Sequence, residues 1–119
     1  MRDSANFRNA TRRDLRFTLD VMDCMTELNT GRLVDLSGTG LQIATPAPLI
    51  QDALYQWRFT LPAHGDQPQT DVDCGVHVLW VSSDPAGNYT AGGRFIQIPT
   101  AARDRIRAWC ESEDRKLRG

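Results

Sequence analysis

The sequence predicts an all-β domain: a small antiparallel barrel of six strands, followed by a C-terminal α-helix. Three observations predict it. Apolar and polar residues alternate at period two in short stretches between Phe17 and Ile98, the pattern of half-buried strands. Clusters of Gly, Pro, Asn and Asp separate those stretches. Beyond Pro99 the apolar spacing becomes helical. With 119 residues, there is room for one domain around one modest core.

The elements follow in order. Residues 1–11 are polar apart from Phe7 and read as a flexible leader; residues 12–119 form the domain. Phe17 to Val21 is the first strand, and its alternation slips between Met22 and Met25, where a bulge is expected. Asn29-Thr30-Gly31 supplies turn chemistry, and Arg32 to Leu36 is the second strand. Ser37-Gly38-Thr39-Gly40 is a tight turn into Leu41–Ala44. Pro46 and Pro48 mark a loop. Ala53–Leu61 is a strand with Tyr55, Trp57 and Phe59 on one face. Pro62 to Pro68 is a polar loop. Val72–Val81 is a strand with Val76, Val78 and Trp80 on one face. Asp84 to Asn88 is a hairpin turn. Tyr89–Ile98 is the last strand, and its Gly92-Gly93 pair predicts a bulge, a barrel corner or a close backbone approach. Pro99 stops the strand, and Thr100 is the expected N-cap of a helix over about 100–115. Ala102, Ile106, Trp109 and Cys110 share one helical face, and Glu111 can pair with Arg115.

Charge is segregated. The net charge is -1, from 14 basic and 15 acidic residues. Thirteen of the basic residues are arginine, a skew that codon usage alone can produce. Residues 1–16 carry a balance of +3, residues 17–98 of -6, and residues 99–119 of +2. An acidic barrel repels a long polyanion, so a general nucleic-acid surface is disfavoured. Tyr55, Trp57 and Phe59 could stack bases, but aromatics on an alternating strand read more simply as core. Cys24, Cys74 and Cys110 form no CxxC pair, so no zinc site is expected, and all three read as buried free thiols. No apolar run is long enough to span a bilayer and no secretory signal is seen, so a cytoplasmic protein is expected. A hydrolase using Ser37 with His64 or His77 is disfavoured: Asp-Leu-Ser-Gly is not a nucleophile elbow. His77, between Val76 and Val78, reads as a strand histidine facing away from the core.

Two clusters could carry chemistry. Arg12 and Arg16 stand four apart in an arm before the first strand and can converge on one ligand. A guanidinium can hold a phosphate bidentately, pair with guanine O6 and N7, or stack on a base. Asp35 and Ser37, two apart, point to one side of an extended strand. A carboxylate accepts from guanine N1–H and N2–H, and a hydroxyl can bond phosphate or sugar. Gly40 leaves room for close approach. Taken singly, each cluster reads as a solvated arm or an ordinary turn cap; together, in this order, they point to a ligand.

The two clusters read RxxxR over Arg12–Arg16 and DxSxxG over Asp35–Gly40. In this the sequence resembles the PilZ domain family, whose members bind the bacterial second messenger cyclic di-GMP. Val78-Leu79-Trp80-Val81 adds to the likeness. So does Gly93-Arg94-Phe95, which is similar to the family's late Gly-x-x-Phe pattern with Phe95 one place closer. The likeness spans about residues 11–110. It implies a six-stranded barrel with a C-terminal helix and an arm that folds over the ligand. Arg12 and Arg16 would be contacts, with Arg13 as a third. Asp35, Ser37 and Gly40 would line the surface beneath a guanine and its phosphate. Trp80 either supports that surface or belongs to the core. The implied protein is a receptor rather than an enzyme, with cyclic di-GMP as its ligand and no cofactor or metal. It would be a monomer or homodimer, would not insert into a membrane, and would signal by ordering of the arm to a separate partner protein. The alternative is a domain that keeps the fold without the ligand and acts as a protein-interaction adaptor.

Overall fold

The computed structural model describes residues 12–14 and 19–118, with side chains over 19–111. The elements are β1 (Arg12–Asp14), β2 (Asp20–Asp23), β3 (Asn29–Ser37), β4 (Gly40–Thr45), β5 (Leu54–Leu61), β6 (Thr70–Ser83), β7 (Tyr89–Gln97) and α1 (Thr100–Arg118). All pairings are antiparallel. β3 pairs with β2, β2 with β5, β5 with β6, β6 with β7, β7 with β4, and β4 with β3 again. Six strands therefore close on themselves, and the expected barrel with one C-terminal helix is what forms. β1 is a short extra strand on the second half of β3, beside the end of β2. The expected leader over 1–11, Arg16 and the start of the expected first strand at Phe17 lie outside the described residues.

The core is built by the alternation read from the sequence. Trp57 and Phe59 on β5, Val72, Cys74, Val76 and Val78 on β6, and Leu41 and Ile43 on β4 are buried. Tyr55 is half-buried and stacks on Trp57 with ring centroids 5.2 Å apart. From α1, Ile106, Trp109 and Cys110 join this core. The Cys110 thiol donates to the Leu36 carbonyl at 3.3 Å, joining the helix to β3. His77 faces away from the core, and its Nε2 lies 3.3 Å from an Asp52 carboxylate oxygen.

Four expectations change. The first turn falls over residues 24–28, ahead of Asn29-Thr30-Gly31, which begins β3. An Asx turn wins there: the Asp23 carboxylate accepts from the Met25 and Thr26 amides at 2.8 and 3.2 Å. Gly31 is needed instead for close approach, because a Cβ there would run into the Ala44 carbonyl oxygen on β4. The slip beyond Val21 is a register shift between Val21 and Met22, as expected. The helix cap also moves. The Pro99 carbonyl accepts the first helical bond from Arg103 at 3.0 Å, making Pro99 the N-cap residue, and Thr100 is the first residue of α1.

The third change is Cys24, which is exposed, whereas Cys74 and Cys110 are buried as expected. Burial pushes the Cys74 thiol up to about 12. Thiolate is the reactive form, so only Cys24 should be labelled by a thiol reagent in the folded protein. All three should react in denaturant. Mass spectrometry of the labelled protein checks this, and two adducts on the folded chain would contradict it. The fourth change, Trp80, concerns the candidate site.

Candidate functional site

Directly opposed residues of paired strands share a face of the sheet, so the register sets out the barrel exterior row by row. Leu33 pairs with Ile43 and Leu36 with Leu41, and all four point into the core. Leu33 and Leu36 are three positions apart, an odd spacing that strict alternation would put on opposite faces. The register shift between Leu33 and Asp35 resolves this: Val34 is an extra residue. The bulge turns Asp35 and Ser37 outward, on the same side as their two-residue spacing requires. Asp35 then stands across from Gln42, Gln42 from Gly92, and Gly92 from Trp80. These four positions form one row on the outer face of β3, β4, β7 and β6.

Trp80 is therefore not on the face of Val76 and Val78. A second bulge, at Leu79, shifts the β6–β7 register between Val78 and Trp80 and rotates the indole outward. The ring lies across Gly92, where any Cβ would collide with it. Of the three readings of Gly92-Gly93, the bulge lies opposite, on β6, and what comes close is side chain rather than backbone. Gly92 is covered by the indole of Trp80, and Gly93 lies under Val76.

Asp35 is 5 % exposed and Ser37 is fully buried. The Ser37 hydroxyl oxygen accepts from the Thr39 amide at 3.2 Å and the Gly40 amide at 3.3 Å. It also contacts the Thr39 hydroxyl at 3.1 Å. In this conformation Ser37 shapes the turn and holds Gly40 beneath it. Gly40 pairs with Arg94, and Phe95 donates its amide to the Thr39 carbonyl at 3.0 Å, which fastens β7 to the turn. From the other side, the Arg107 side chain packs over Gly38. Arg107 is exposed, and its side chain brings α1 to the turn. Arg94 is exposed and has no ion-pair partner among the described residues.

The two motifs meet through β1. Arg12 stands across from Ser37, Arg13 from Leu36 and Asp14 from Asp35. The arm's backbone at residues 12–14 is thus a paired strand rather than a free tether. Arg12, Arg13, Asp35, Ser37 and Gly40 come together at one end of β3 and its turn. Sequence reasoning left Trp80 open and missed Gln42, Arg94 and Arg107. One signal for Trp80 was available: Val78-Leu79-Trp80-Val81 is four apolar residues without alternation, opposite two glycines.

This architecture defines a class: a closed six-stranded barrel with a C-terminal helix, carrying an arginine-bearing N-terminal strand beside an Asp-x-Ser turn on its outer face. The profile of the PilZ domain matches residues 6–112, and the chain belongs to that family. Solved structures share the fold, three of them as follows. The inhibitor of motility MotI/DgrA of Bacillus subtilis matches with TM-score 0.78 and 12% identity, over 94% of this chain and 53% of that one. Escherichia coli YcgR in complex with c-di-GMP matches with TM-score 0.68 and 17% identity, over 93% of this chain and 47% of that one. The PilZ domain of YcgR with c-di-GMP matches with TM-score 0.65 and 16% identity, over 93% of this chain and 94% of that one. The chain therefore spans about half the length of the first two. A search of curated proteins finds no match. No helix among the described residues is long and apolar enough to cross a membrane.

Proposed function

We propose that the chain is a cyclic di-GMP receptor, binding through Arg12, Arg13, Arg16, Asp35, Ser37 and Gly40. The observation that carries this reading is the register of β1 on β3, which sets Arg12 across from Ser37 and Asp14 across from Asp35. Guanidinium groups of the arm hold phosphate oxygens and guanine edges. The Asp35 carboxylate accepts from a guanine N–H edge. Ser37 and Gly40 supply a turn that presents backbone rather than side chain to the ligand. The Trp80 indole gives a flat wall in the same row, suited to an aromatic base. The arm closes over the ligand, and the closed arm is the signal passed to a separate protein. The role is that of a cytoplasmic receptor without a catalytic step.

Calorimetric titration with cyclic di-GMP, beside GTP and cyclic di-AMP, tests the reading. Binding of cyclic di-GMP alone, weakening as salt is added, is the expected result. Absence of heat at micromolar ligand would remove the receptor reading and leave the adaptor.

A further inference from the structure

The outer face does not end at the row of Asp35 and Trp80. Two residues further along the strands, about 7 Å away at strand spacing, lies another row. Asp20 on β2 stands across from Arg32 on β3, Arg32 from Ala44 on β4, and Ala44 from Thr90 on β7. A cleft of about 580 Å³ opens along it, lined also by Asn29, Gly31 and Asn88. Its floor is low because Ala44, in the middle of the row, has a small side chain.

Two features of the cleft point to a ligand. Arg32 is exposed and, among the described residues, forms no ion pair even though Asp20 stands directly across from it. By contrast, Arg58 on the β5–β6 side of the barrel is held by Asp73 through two contacts, one of them 3.2 Å. The other carboxylate of the cleft, Asp84, is occupied by its own turn, accepting from the Ala86 and Asn88 amides at 2.9 and 3.0 Å. That leaves one cation, one carboxylate and the Asn29 amide for a ligand. An arginine for phosphate and a carboxylate with an amide for a base edge repeat the chemistry of the motif end.

A cyclic dinucleotide has two phosphates and two guanines, related by symmetry. A face that recognises both halves needs that chemistry twice. We propose that the cleft is the second half of the ligand site, with Arg32 contacting phosphate and Asp20 and Asn29 contacting the guanosine furthest from the Ser37–Gly40 turn. This deepens the receptor reading and rests on it.

The test uses the full chain and cyclic di-GMP in calorimetry. Arg32→Ala removes an exposed side chain and should weaken binding roughly tenfold or more, with a shallower salt dependence. Ala44→Phe fills the floor of the cleft and should weaken binding by a similar factor. Arg58→Ala, whose guanidinium is already held by Asp73 and which does not line the cleft, should bind within about twofold of the parent. If the parent chain binds while Arg32→Ala and Ala44→Phe both stay within about twofold, the cleft proposal is overturned and the receptor reading stands. If the parent chain does not bind, both fall together.

Discussion

Replacing Asp35 with alanine should lower affinity for cyclic di-GMP by about 30-fold to a few thousand-fold, equivalent to ~2–5 kcal/mol. The size follows from burial. The residue Asp35 is only 5 % exposed, so a ligand group bonded to its carboxylate is largely shielded from water, and loss of the carboxylate leaves that group unpaired. Arg16→Ala should act in the same range, because the ligand then loses a charged clamp. Calorimetry measures both, and circular dichroism establishes that the barrel is intact. Affinity unchanged in both variants would place the binding site elsewhere on the protein.

The largest stability effect is expected at Trp57. Its side chain is 0 % exposed, in the middle of β5, and stacked on Tyr55. Trp57→Ala removes the largest fully buried side chain and leaves a cavity that the closed barrel cannot collapse around. A loss of about 3–5 kcal/mol is expected, read as a lower urea midpoint. A loss under about 1 kcal/mol would mean that neighbouring side chains fill the space. Asp35→Ala and Trp57→Ala therefore separate cleanly: one changes binding in a folded chain, the other changes folding itself.

Much of the barrel was legible because period-two alternation is a direct consequence of the pleat. Trp57 and Phe59, Val76 and Val78, and the helical face of Ile106, Trp109 and Cys110 all fall where their spacing places them. What escaped was phase. One extra residue at Val34 and one at Leu79 leave the composition of their strands unchanged but exchange inside for outside beyond them. Asp35 and Ser37 keep their mutual spacing through this, so their shared side was readable, whereas Trp80 was expected on the face of Val76 and Val78 and lies on the other. The first turn was misplaced for a related reason. Asn29-Thr30-Gly31 and the segment after Asp23 both offer turn chemistry, and only the packing of Gly31 against β4 decides between them. Arg94 and Arg107 escaped because neither belongs to a motif; register and helix packing bring them to the turn.

The doubled pairing of β3 has a consequence for association. A closed barrel offers no row of free backbone groups, but β2 runs alongside only the first part of β3. The stretch from Asp35 to Ser37 is covered on that side by β1 alone. Backbone N–H and C=O groups bared there would be a template for any extended chain. Among the described residues, β1 thus occupies the margin of β3 that β2 leaves open.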